Sequence, residues 1–156
     1  MEYAMRGKYF EEFAPGDRFV SGGHTVSEAE VYSFAGLTGD YNPLHVNEEY
    51  AKTATVFKTR VAHGLFGVAL AAGMVYQLGI NEGTTMALLE TTEQFKAPLF
   101  IGDTVHAVVI VDETRPTSKP DRGIVKMQVE LRNQRDELVM HQLQTVLLKR
   151  KTNIVE

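Results

Sequence analysis

The sequence predicts an α+β domain, on three observations. The stretch Gly64 to Leu78 is apolar on every face, so a helix there has to be buried. Behind it come segments rich in Thr, Val, Ile and Leu, separated by turn residues. In one of them Val125, Met127, Val129 and Leu131 alternate with Lys126, Gln128 and Glu130, the period of a half-buried strand. A buried helix followed by several strands points to α+β rather than to alternating βαβ units. The 156 residues fit a single domain over residues 1–156 and can bury a core without staples.

Met1 to Pro15 reads as a loop or short arm, and Asp17 to Val26 as a strand interrupted at Gly22-Gly23. Ser27 with Glu30 three residues on is a capping-box signal, so a helix is expected from Glu28 to Leu37 with Val31, Phe34 and Ala35 on one face. Asn47 is suited to cap a short helix over Glu48 to Thr53, whose first turn is acidic. Val56 to Val61 reads as irregular, and Gly79 as the stop of the long apolar helix. Strands are expected over Thr84 to Phe95, Thr104 to Val111 (covered on both faces), Val125 to Leu131 and Leu138 to Lys149. Asn133 to Asp136 fits a hairpin loop and Pro116 to Gly123 an exposed loop, and Lys149 to Glu156 is expected to fray.

Composition narrows the function classes. Sixteen basic and 20 acidic residues leave a net charge of −4, which gives no general pull toward nucleic acid. The chain has no cysteine, which removes disulfides, thiol catalysis and thiolate metal sites and fits a cytoplasmic setting. Met1 to Phe13 lacks the apolar core of a signal peptide, and the longest apolar stretch is too short to span a bilayer. His24, His106 and His141 have no metal-ligand spacing, and no metal is expected.

The run Phe34-Ala-Gly-Leu-Thr-Gly-Asp-Tyr-Asn-Pro-Leu-His45 carries the chemistry. It sets a carboxylate, Asp40, and an imidazole, His45, in a segment expected to be a stiff turn. Gly39 is a poor helix residue, and Pro43 pushes Asn42 toward an extended conformation. Further on, Ala62-His63-Gly64 opens the apolar helix and offers a free backbone N–H at its positive dipole end. An acid/base pair with a polarising N–H suits chemistry beside a carbonyl. Each residue also has a purely structural reading. Asp40 fits an Asx turn near Pro43, and His45 a buried histidine satisfied by a carbonyl. Asn42 is expected to tie the turn together, His63 to cap or pack at the helix start, and Thr38 and Tyr41 to line the pocket.

Phe34, Leu37, Thr38, Gly39, Asp40, Asn42, Pro43, Leu44, His45 and Ala51 together resemble the signature of the MaoC-like, or R-specific, enoyl-CoA hydratase family, with no position departing from it. His63-Gly64 before an apolar helix and Phe95-Lys-Ala-Pro-Leu-Phe-Ile-Gly-Asp103 before a strand extend the resemblance over most of the chain. It implies a hot-dog fold, a long helix wrapped by an antiparallel sheet, with subunits joined edge to edge as a homodimer or larger homo-oligomer. It further implies reversible addition of water to a trans-2-enoyl-CoA, giving an R-3-hydroxyacyl-CoA. Asp40 and His45 would hold and activate the water, and the Gly64 N–H would polarise the thioester oxygen. The acyl-CoA is the substrate, no separate cofactor is implied, and neither nucleic acid nor membrane is an expected partner. A hot-dog thioesterase and a non-catalytic acyl-CoA-binding protein would share fold and ligand. The Asp40–His45 pair speaks against both.

Overall fold

The computed structural model describes residues 5–151. After a 3-10 turn at Phe10–Glu12 come β1 (Arg18–Val20) and β2 (His24–Thr25), the two halves of the strand that Gly22-Gly23 interrupts. Three helices follow: α1 (Glu28–Thr38), α2 (Pro43–Val46) and α3 (Glu48–Ala54). The long helix α4 (Gly64–Gln77) leads into β3 (Thr85–Phe95), β4 (Thr104–Pro116), β5 (Arg122–Arg132) and β6 (Leu138–Lys149).

The sheet is antiparallel throughout, in the order β1-β4-β5-β6-β3, with β2 also on β4. Its strands bury the expected side chains. Val125, Met127, Val129 and Leu131 are all at most 2% exposed and face α4 through a core that includes Phe66, Ala71, Met74 and Val75. The architecture is a long helix laid across a curved antiparallel sheet.

Caps set the helix boundaries. In α1 the Ser27 side chain accepts from the Glu30 N–H while Glu30 reaches back to the Ser27 N–H, and Gly39, at φ 78°, ends the helix in the left-handed region. In α3 the Asn47 side chain accepts from the Tyr50 N–H.

Several expectations need correction. His45 lies on a one-turn helix, not in a turn. Proline constrains the residue before it, but at the first helical position its missing N–H costs nothing, and Asn42 caps the turn by accepting from the Leu44 N–H. Helix α4 is not buried all round, for Leu65 and Tyr76 are 65% and 55% exposed. Apolar composition demands a cover without saying that this chain provides it. Strand β4 runs on to Pro116 and β5 starts at Arg122, so the exposed loop shortens to residues 117–121. The start of the expected frayed tail is held, since Lys149 ends β6, the Arg150 N–H donates to Asp121, and the Lys151 N–H donates to Glu11. The rest of that tail lies outside the described residues, as do Met1 to Ala4 of the expected arm.

One edge of the sheet is open. Among the described residues, strand β3 pairs only with β6, and it exposes Met86, Leu88, Leu89 and Phe95. No helix among the described residues is long and apolar enough to cross a membrane.

Candidate active site

A relay of short side-chain-to-backbone bonds shapes the segment after α1. The Thr38 hydroxyl donates to the Phe34 carbonyl at 2.8 Å and accepts from the Asp40 N–H at 3.3 Å. Asp40 Oδ1 accepts from the Asn42 N–H at 3.2 Å, and Asn42 Oδ1 accepts from the Leu44 N–H at 3.1 Å. Such local bonds make a stretch rich in polar side chains stiff without burying it.

His45 donates from Nδ1 to the Val61 carbonyl at 2.7 Å. A carbonyl can only accept, so the ring proton is assigned to Nδ1, and in the neutral ring Nε2 is left as an acceptor. The Asx turn of Asp40 is therefore realised, and so is the carbonyl bond of His45, although its ring is only half-buried; both are compatible with the chemical readings. The Asx-turn bond occupies one carboxylate oxygen and leaves the other free. The carbonyl bond selects the tautomer that leaves a basic nitrogen.

His63 is 3% exposed and sits at the N-cap of α4 without making a cap bond. A good cap bond is worth about 1 kcal/mol, and histidine forgoes it. Instead its Nε2 donates to the Asp40 backbone carbonyl at 2.9 Å. Its ring stacks on His45, with centroids 3.8 Å apart and planes 30° apart, and lies 5.1 Å from Phe34. Its Nδ1 is buried with no hydrogen-bond partner among the described residues. One donor atom from each of Asp40, His45 and His63 falls within 4.8 Å of the others, a set able to meet a metal ion. His45 Nδ1 and His63 Nε2 are each committed to a backbone carbonyl, which leaves each ring one nitrogen to take up a proton.

Gly64 is the first residue of α4, where a backbone N–H has no partner within the helix, and the first turn carries no acidic side chain. The Phe95 ring closes on it, and a Cβ built at Gly64 would meet Phe95 Cε1 at 2.9 Å. A cavity of about 560 Å3 opens here. His45, His63 and Gly64 line it, Lys96 brings a cation, and the buried Leu131 and Met140 form apolar wall.

The sequence-predicted residues divide accordingly. Asp40, His45, His63 and Gly64 come together, with Asp40 exposed beside the cavity rather than in its wall. Asn42 ties the segment as expected. Thr38 and Tyr41 do not line the cavity. The Thr38 hydroxyl is spent on the end of α1, and Tyr41 folds back so that its hydroxyl lies 3.5 Å from where a Gly36 Cβ would stand.

Arg60 is a residue the sequence did not single out. Its Nε bonds Glu48 at 3.0 Å and another guanidinium nitrogen bonds Glu28 at 2.5 Å, while its backbone N–H also reaches Glu48. It thereby clasps α1 and α3 to the strand of chain that presents the Val61 carbonyl. The Arg60 backbone N–H, then its guanidinium, hold the Glu48 carboxyl below its ordinary range, and Glu28, then Glu48, raise Arg60. Only its position two residues before Ala62-His63 could have drawn attention to it.

Known proteins resemble this chain in sequence and in fold. Residues 12–133, more than half the chain, match the family model described as MaoC like domain. The chain is 46% identical over 113 residues to an (R)-specific enoyl-CoA hydratase of Rhodospirillum rubrum, covering 71% of this chain and 74% of that protein. It superposes on the crystal structure of a MaoC-like dehydratase from Rhodospirillum rubrum with a TM-score of 0.83 and 30% identity, over 94% of this chain and 99% of that one. A Mycobacterium tuberculosis protein with a double hotdog fold superposes at 0.83 and 20% identity over 99% of this chain and 48% of its own, a likeness of fold alone. With its antiparallel sheet wrapped on α4 and its Asp40–His45 segment beside Gly64, the chain belongs to the MaoC-like dehydratase family and has the hot-dog fold.

Proposed function

We propose that this chain is an R-specific enoyl-CoA hydratase, a hydro-lyase that adds water reversibly to a trans-2-enoyl-CoA. The observation that carries the proposal is the grouping of Asp40 with His45 and His63, beside a largely apolar cavity that His45, His63 and the helix start at Gly64 line. The relationship to an (R)-specific enoyl-CoA hydratase supports the reaction class.

Water would lie between the free Asp40 oxygen and His45 Nε2, both acceptors. As the pair takes its proton, the water oxygen bonds C3. The C2–C3 π electrons move to C2 and the thioester oxygen, where the Gly64 N–H meets the developing negative charge. The enolate then takes a proton at C2 from the same pair. Water is consumed whole, the side chains end as they began, and no cofactor is needed because CoA is part of the substrate. Lys96, which lines the cavity, would supply a cation for the anionic CoA portion of the substrate.

The open β3 edge and the exposed side of α4 support a homodimer, a second copy covering both. A chain without cysteine suits the reducing cytoplasm.

The test is enoyl-thioester absorbance on adding crotonyl-CoA, with free thiol followed in the same cuvette. Loss of absorbance without thiol, abolished in Asp40→Asn, is the expected result. Thiol release would make the protein a thioesterase. Silence across longer and branched enoyl-CoAs would leave an acyl-CoA-binding protein.

A further inference from the structure

We propose that His63 is the positioning residue that locks the acid/base pair to the polarising N–H, an inference that rests on the hydratase reading above. Three contacts carry it. Its Nε2–H gives the Asp40 backbone carbonyl its hydrogen bond, the only one to that oxygen among the described residues. Its ring lies flat on His45, fixing the plane of the imidazole that Val61 holds by its edge. Its own carbonyl is bonded covalently to the nitrogen of Gly64. One side chain therefore touches both members of the pair, while its backbone carries the amide that faces the thioester.

The local chemistry of residue 63 is otherwise hard to explain. The N-cap of a buried apolar helix favours Ser, Thr, Asn or Asp. Here a histidine makes no cap bond and leaves Nδ1 buried with no hydrogen-bond partner among the described residues. Departures from local rules of this kind are expected where a site demands them. Phe34 packs on both His63 and Phe66, adding a second aromatic contact to the His63 ring. His63 acts through position. Displacing reacting groups by about 1 Å can cost about a hundredfold in rate.

Two variants separate the bond from the bulk. His63→Gln keeps an N–H where Nε2 stands and discards the ring. His63→Phe keeps a ring to stack on His45 and discards the bond. With crotonyl-CoA, His63→Phe is expected to lose about a hundredfold in kcat with KM changed little, and His63→Gln to recover most of that loss. Amide exchange over residues 40–46 supplies a readout independent of turnover, expected to be faster in His63→Phe and close to wild type in His63→Gln. Wild-type kcat in His63→Phe would overturn the inference while leaving the hydratase reading intact. Equal loss in both variants would assign His63 to packing alone and overturn it too, as would unchanged exchange in His63→Phe. A wild-type protein that hydrates no enoyl-CoA would instead remove the reading on which the inference rests.

Discussion

The segment from Phe34 to Gly64 and the β3 strand flank the same cavity in opposite states of completion. In the first, nearly every polar group near the chemistry is committed. Thr38, Asp40, Asn42, His45 and His63 each bond a backbone group, and Arg60 clasps the segment from outside. In the second, one side of the backbone pairs with no strand among the described residues, and apolar side chains are exposed. A site that positions protons needs the first kind of region. A surface that awaits a second chain needs the second kind. The geometry for catalysis is thus built from bonds within the chain, whereas the apolar flank beside it is left uncovered by the described residues.

Breaking the committed region should have the largest effect. Asp40→Asn is expected to lower kcat by about a hundredfold or more, the usual scale for removing a general base. His45→Ala should do comparable damage, with melting followed alongside so that unfolding is not mistaken for chemistry. Next comes the open edge. Leu89→Lys places a charge on β3 and should shift the protein toward monomer in sedimentation, leaving the fold unchanged. A persistent dimer would move the interface elsewhere. Gly64→Ala tests the seam between the two regions. Its methyl would push on the Phe95 ring, which is half exposed and free to yield, so a loss of about tenfold in kcat/KM is expected without loss of fold.

The smallest effect concerns the outer clasp. Arg60→Ala should cost about 1–2 kcal/mol, seen as a Tm lower by several degrees. Its pH dependence has a definite sign. The Glu48 carboxyl is depressed in the folded chain, so its contribution is present above the ordinary value of 4.5 and is lost as pH falls through the lower folded value. The Tm gap between wild type and Arg60→Ala should therefore narrow below about pH 4.5. A gap that stayed constant into acid would assign the clasp to Arg60 packing rather than to its carboxylate partners.

What was legible in the sequence follows the range of the interactions. Ser27 with Glu30 marked the start of α1, and Asn47 that of α3, because capping is a conversation between residues three apart. The alternation from Val125 to Leu131 marked a half-buried strand for the same reason. Helix α2 was missed because Pro43 was weighed as a breaker rather than as a first helical residue. Tyr41 and Thr38 were drawn into the pocket by proximity in sequence, while their actual bonds and packing turn back onto α1. The Arg60 clasp and the His63 bond to Asp40 join residues too far apart for any local pattern. The exposed side of α4 was unreadable in principle, since composition says that a face wants cover and not which chain supplies it.

The nearness in sequence of Asp40, His45 and Gly64 has a kinetic consequence. The bonds that assemble the site close loops of 16 and 23 residues, whereas pairing Arg18 with Ile110 spans 110 − 18 = 92. Two doublings in length separate 23 from 92, so the site's longer loop closes at about 1.2 kcal/mol less entropic cost than the sheet's edge. The chemical half of this molecule is thus a low-contact-order element within a slower β topology, able to acquire its shape before the sheet beside it is complete.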